Sequence, residues 1–411
     1  MMISPKHPFS QGTTRPIIRG ILANLVVESL FFGFTVVYVF LHLGFDSALY
    51  LFAAQGLGLA LGYYLGLTVM ASGDRACSRA LQGFSIAGTI SMVMAVNTPV
   101  WALTTLMILA SVAVGGAFSA KHWHELKSTS GAQREAYLYW TQGAAIAIRI
   151  GGMGISAFVL WIYQEDMRLF LTAANILAFL LLLIAGPIHG TVRPPGLPRP
   201  WLSLQCPRYW KSAPFFLMEA GSSALRTLVG LTGVLTVVGA PSSYSLAESL
   251  SGIVAAATAA WLVTRPTLGP SLSRLRAGLS LMGLAWLALA GALLHWPVLL
   301  MAYLVCSAIA APVVGACYSG LVMKSMEDYS GDLQSSMLAR ELLLLGARTL
   351  ALALAWALTS WLPDPTPRML VVLGLTVALL PLEYAYARGL AASTASNAGI
   401  AAPALTVRAL V

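Results

Sequence analysis

The stretch HGTVRPPGLPRPWLSLQCPRYWKS, residues 189–212, is the longest polar connection in a chain of 411 residues. Its density of Pro and Arg marks a linker, because neither residue suits an apolar span. Outward from it in both directions, apolar runs recur at close to the ~20 residues that cross a bilayer. Composition agrees: 58% of residues are hydrophobic and 9% are charged, against roughly 25% charged in soluble domains. Mean hydropathy is +0.79. Six spans precede the stretch, at 17–41, 46–70, 81–97, 99–120, 137–163 and 168–187. Six follow it, at 213–238, 242–264, 278–295, 297–323, 337–361 and 367–387. The first run is too long for a signal-peptide core and no small-residue cleavage site follows, so it is expected to remain as span 1. The expected fold class is therefore an all-α membrane protein with twelve transmembrane helices in two pseudo-symmetric six-helix bundles. These are residues 1–188 and 213–390, joined by the linker 189–212 and followed by a tail, 391–411, expected to be disordered.

The formal charge of +9 follows the membrane and gives no nucleic-acid signal. Lys6, Arg15 and Arg19 precede span 1, Arg75 and Arg79 follow span 2, and Lys121, Lys127 and Arg134 follow span 4. Arg193, Arg199, Arg208 and Lys211 fill the linker, and Arg265, Arg274, Arg276, Lys324, Arg388 and Arg408 continue on the same side. The opposite connections hold only Arg168 and Arg368, beside Asp46, Glu165, Asp166 and Asp364. By the positive-inside rule the linker and both termini are cytoplasmic. Cys77, Cys206, Cys306 and Cys317 lack zinc-type spacing, so neither a disulfide nor a metal is expected. No GxxxxGK[ST] loop is present, which argues against an ATP-driven pump.

The halves echo one another. VVESLFFG in span 1 faces LMEAGSSA in span 7, aligning Glu28 with Glu219. AAQGLG in span 2 faces LAESLSG in span 8, aligning Gln55 with Glu248, and TQGAAIAIR in span 5 faces RELLLLGAR in span 11, aligning Arg149 with Arg348. The offsets of 191, 193 and 199 residues are each about half the chain, which argues for a duplication. The connection after span 2 reads MASGDRACSRAL. With two six-span halves, it resembles the major facilitator superfamily, whose motif there is a Gly followed by Asp-Arg-x-Gly-Arg-Arg/Lys. Asp74, Arg75 and Arg79 match, while Met70, Cys77 and Ser78 depart from it. The resemblance implies that these three residues latch the bundles on the cytoplasmic side. It also implies that spans 1, 4, 7 and 10 line a central cavity.

Charges inside the spans need a reason, because an ionised group at the bilayer centre costs about 2.5–3.5 kcal/mol on insertion scales. Glu28, Glu219, Glu248 and Glu341 stand against Arg149, Arg226, Arg340 and Arg348. At about 1.5 Å per residue from the nearest cytoplasmic charge, Glu28 and Glu219 lie roughly 12–14 Å deep, and Arg226 and Glu248 roughly 22–26 Å. Arg149 reaches a similar depth. One reading makes Glu28–Arg149 and Glu219–Arg348 a single ion pair inherited twice. The other has a carboxylate change protonation, since burial disfavours its charge and a nearby Arg favours it. Arg226 either pairs with Glu248 or, with Glu248, Glu28 and Glu219, contacts the substrate, Arg226 binding an anionic group.

Around His122 and His124, KHWHELKSTSGAQRE reads as a solvated basic loop; i,i+2 spacing does not suit a metal. Glycines cluster in span 2 (Gly56, Gly58, Gly62, Gly66), span 4 (Gly115, Gly116) and span 5 (Gly143, Gly151, Gly152, Gly154), where close sliding contacts between bundles are expected. Pro312 and Gly315 interrupt span 10 as a gate or a packing kink. The expected function is a proton-coupled secondary transporter of a small organic solute, working by alternating access as a monomer in a bacterial inner membrane. Its expected partners are the solute, protons and lipid, with no nucleic acid, no cofactor and no enzymatic activity. Export of an amphipathic drug or siderophore-like metabolite comes first. Import of an anionic nutrient or siderophore is the alternative, and a transport-dead fold serving as a receptor or assembly factor is a third reading.

Overall fold

The structure is a computed structural model describing residues 15–72, 99–128, 131–185, 196–263, 272–327 and 332–405. Its helices are α1 (Arg15–Ser72), α2 (Val100–Ser128), α3 (Gly131–Ile162), α4 (Met167–Ala185), α5 (Pro200–Leu204), α6 (Pro207–Val238), α7 (Pro241–Val263), α8 (Leu272–Leu293), α9 (Leu299–Glu327), α10 (Leu333–Thr359) and α11 (Pro365–Leu405). Among the described residues, nine helices are long and apolar enough to cross a bilayer. The expected span 81–97 lies outside the described residues, as do the side chains of Asp74, Arg75 and Arg79.

α1 holds the first two expected spans, and its break falls between them at Gly44, with φ 81°. With ψ at −177° this positive-φ conformation is open to glycine and costs an L side chain about 1–3 kcal/mol. Gly239, with φ 78°, ends α6 by donating its N–H to Leu235 O. Pro207, Pro241 and Pro365 open α6, α7 and α11, positions where the missing N–H costs no helical bond.

The second part of α1 runs parallel to α2. Gly58 meets Ile108 and Ser111, Gly62 meets Val112, and Gly66 meets Gly116 and Ser119. The four-residue glycine spacing brings the two backbones into contact, so a methyl at Gly62 would overlap the Val112 carbonyl. This corrects the expectation that the glycines sit between bundles: these fasten two helices of the same half. Gly56, against Leu345, and Gly154, against Ser249, do face the other half.

Across the halves, α3 packs along α7, and α1 packs on α10 and α6. The end carrying the start of α1 and the short α5 is the near end, and the opposite one is the far end. At the far end Phe34 packs edge-on to Phe170 at 4.8 Å and to Tyr244 of the other half at 6.4 Å. There Arg368 Nη1 also meets Asp46 Oδ1 at 2.7 Å, and Glu165 Oε2 accepts from Ser242 N at 2.9 Å. Exposed Trp101, Trp161, Trp296 and Trp361 ring this end, while Trp201 and Trp210 are exposed at the near end. Amphipathic indoles prefer the levels of the two membrane–water interfaces.

Three near-end features depart from expectation. Residues 391–405, expected as a tail, continue α11 to Leu405. The linker contains α5, docked on α10 by Arg199 N to Ser335 Oγ at 2.8 Å and by the Ser203–Ser336 hydroxyl pair at 3.2 Å. The expected loop around His122 is the end of α2, where Trp123, His124 and Glu125 are buried.

Candidate functional site

Glu219, Ser222 and Arg226 are spaced i, i+3 and i+7 on α6, so they share one face. α11, α10 and α9 all pack on α6. From α11, Glu383 enters with its side chain 0% exposed. Arg226 Nη1 donates to both of its oxygens, at 2.8 and 3.0 Å. Ser222 Oγ donates to Oε1, and Tyr318 Oη of α9 donates to Oε2. A buried carboxylate is tolerable only when paired and hydrogen-bonded, and Glu383 is both.

α10 supplies three more charges. Arg348 Nη1 reaches Glu341 Oε1 along the same helix at 3.5 Å. Arg340 lies over the Phe216 ring at 5.4 Å, and its buried Nε has no hydrogen-bond partner. Glu219 is half-buried and has no hydrogen-bond or ion-pair partner among the described residues. Its electrostatic neighbours are Arg340, Arg348, Arg226 and Glu383. Three carboxylates thus meet three guanidinium groups, two pairs form, and Glu219 and Arg340 remain.

The group faces the other half. Arg340 lies within electrostatic reach of Tyr63 on α1 and His122 on α2. The Tyr63 hydroxyl and His122 Nδ1 are 3.1 Å apart.

A separate ion pair joins the halves directly. Arg149 Nη2 of α3 meets Glu248 Oε2 of α7. Beside it, Ser249 Oγ donates to Ile150 O at 3.0 Å. Tyr244 and Tyr303 share the field of this pair.

The pairings differ from those expected. Arg226 meets Glu383 and Arg348 meets Glu341, in place of Glu248 and Glu219 respectively, and Arg149 meets Glu248. Depth along a helix fixes a residue's level, and Arg149 and Glu248 do share one. Which helix a residue faces is set by packing, and α3 packs along α7. The side chain of Glu28 lies outside the described residues. Glu383 is the residue that the balance of four acids against four arginines omits. The signal was present, since the expected span 367–387 contains it.

No protein-family model and no curated protein matches the chain. Solved structures do. The chain is similar to the crystal structure of the nucleoside transporter NupG, with 13% identity, a TM-score of 0.63, and coverage of 92% of this chain and 99% of that one. It is similar to the human organic anion transporter MFSD10 at 15% identity and TM-score 0.58, covering 91% of this chain and 98% of that one. It is also similar to the xylose transporter XylE from E. coli in a partially occluded inward-open conformation, at 14% identity and TM-score 0.62, covering 89% and 95%. These are major facilitator structures, and the chain has the major facilitator fold, that of a multi-pass membrane protein.

Proposed function

We propose that this chain is a proton-coupled secondary transporter of a small organic solute, working by alternating access between its halves in a bacterial inner membrane with both termini cytoplasmic. One observation carries the coupling. Glu219 is the one carboxylate of the α6–α10–α11 group left without a partner among the described residues, and it stands in the field of three arginines. Burial penalises its ionised form and the arginines favour it. A conformational change that alters those distances therefore loads or releases a proton. Arg149–Glu248 and Asp46–Arg368 span the halves and are suited to breaking and re-forming as the halves rock. The neighbours' cargoes, a nucleoside, organic anions and xylose, include charged and neutral solutes, so they leave the choice to this chain's own side chains. Those side chains favour a solute with a charged group over a wholly apolar drug.

The test is uphill flux in proteoliposomes under an imposed pH gradient, with solutes selected by thermal shift of the purified protein. Glu219→Gln is expected to keep solute exchange and lose gradient-driven accumulation. Accumulation that survives in a folded Glu219→Gln variant refutes the assignment. A wild type that binds but never transports supports the receptor reading.

A further inference from the structure

Resting on the coupling role of Glu219, the structure assigns the solute's class: we propose an organic monocarboxylate whose carboxylate docks on Arg340 while a proton sits on Glu219. The argument is one of charge and vacancy. Glu383 is held by Arg226, Ser222 and Tyr318, and Glu341 has Arg348. Arg226 and Arg348 are likewise engaged. The two remaining groups have opposite sign, are each half-buried, and feel one another without pairing. The unused Nε–H of Arg340 is a buried donor without an acceptor, and leaving such a donor unmade costs about 1–3 kcal/mol. A carboxylate is the acceptor whose geometry matches a guanidinium edge.

The vacancy alone also suits a zwitterion, with its ammonium on Glu219. That occupant would consume the only carboxylate of the group free to carry a proton, so the coupled reading selects the simple anion. Protonating Glu219 gives the balanced group one net positive charge, and the bound anion restores neutrality. Empty and loaded states then carry the same charge, and neither ligand is stable without the other. The groups facing Glu219 are Arg226 on α6, Arg340 and Arg348 on α10, Glu383 on α11 and Tyr318 on α9.

The experiment is calorimetric titration of the purified full chain with benzoate and octanoate, repeated in buffers of different ionisation enthalpy, which counts protons taken up per ligand. Benzamide, octanamide and 4-(aminomethyl)benzoate serve as neutral and zwitterionic counterparts. The expected result is binding of the carboxylates with close to one proton each and no binding of the amides. Carboxylate affinity should rise by up to about tenfold per unit fall in pH, the limit for one linked proton. Glu219→Gln should bind carboxylates with no proton and no pH dependence, a result that loss of fold does not produce. Arg340→Gln should weaken them at least about tenfold, equivalent to ~1.4 kcal/mol, and Arg340→Lys, which keeps the charge without the fork, should recover part of that.

Carboxylates that fail to bind, or bind without a proton, overturn the proposal. So does a zwitterion that outcompetes benzoate without proton uptake. If the pH gradient drives some other solute while carboxylates fail to bind, the substrate class falls and the coupled transporter stands. If carboxylates bind with a proton and no gradient moves them, the transport reading falls and the site stands.

Discussion

Replacing Glu383 by Gln tests whether the buried centre of the second half is a structural pin. The substitution keeps the shape and removes the charge that Arg226 contacts twice, at 2.8 and 3.0 Å. Arg226 is only 12% exposed and Glu383 is 0% exposed, so water cannot replace the lost partner. Removing one member of such a pair costs about 3–5 kcal/mol, because the other charge stays buried and unpaired. At roughly 2–4 °C per kcal/mol for a folding unit of 150–250 residues, the size range of the second half, the melting temperature should fall on the order of 10 °C. Replacing both partners by apolar residues, Arg226→Met with Glu383→Leu, should cost less than the single change, since no orphan charge remains. The assay is thermal unfolding of Glu383→Gln and of the four members of the Arg226→Met, Glu383→Leu cycle in detergent, read by tryptophan fluorescence and by recovery of monodisperse protein. A Glu383→Gln variant as stable as the wild type, or a double variant whose loss equals the sum of the two single losses, refutes the pin.

Three further outcomes follow from the contacts. Arg149→Glu should put two acids together across the α3–α7 seam and lower flux severalfold, and the exchange Arg149→Glu with Glu248→Arg should restore at least half of it; unchanged flux in both single variants makes the pair incidental. Asp46→Asn removes a half-exposed ion pair worth about 0.2–1 kcal/mol, so far-end opening should rise about 1.5- to 5-fold, read as faster labelling of Thr35→Cys by an impermeant thiol reagent in a background without the native cysteines. Gly62→Ala should lose about 1–3 kcal/mol by overpacking against Val112, whereas Gly151→Ala, which meets nothing within 4 Å, should leave the melting temperature unchanged or slightly higher.

What the sequence reveals about this molecule divides by the physics of the bilayer. Spans are legible because each must be apolar for about 20 residues, and the gap between residues 41 and 46 holds the glycine at which α1 breaks. Helix ends beyond the lipid are not so constrained. Residues 207–212 look like linker, yet they begin α6, held by Tyr209 Oη donating to Ala339 O at 2.8 Å and Trp210 Nε1 to Leu204 O at 2.8 Å. Hydropathy carries no signal for such tertiary contacts. The site divides the same way. Residue type and level follow from sequence, which is how Arg149 and Glu248 share a depth estimate, while the side of the helix each faces depends on helix neighbours. The repeat misleads most here, because it suggests that equivalent residues in the two halves keep equivalent partners. Arg149 reaches across to the other half, whereas its counterpart Arg348 turns back along its own helix to Glu341. With Arg348 so engaged and Arg226 taken by Glu383, Glu219 and Arg340 are left without ion-pair partners among the described residues and within electrostatic reach of one another. On the proposed reading, a fold of two related halves with one half rewired in this way holds, among the described residues, an asymmetric charge vacancy where a solute is selected without disturbing the symmetry by which the halves move.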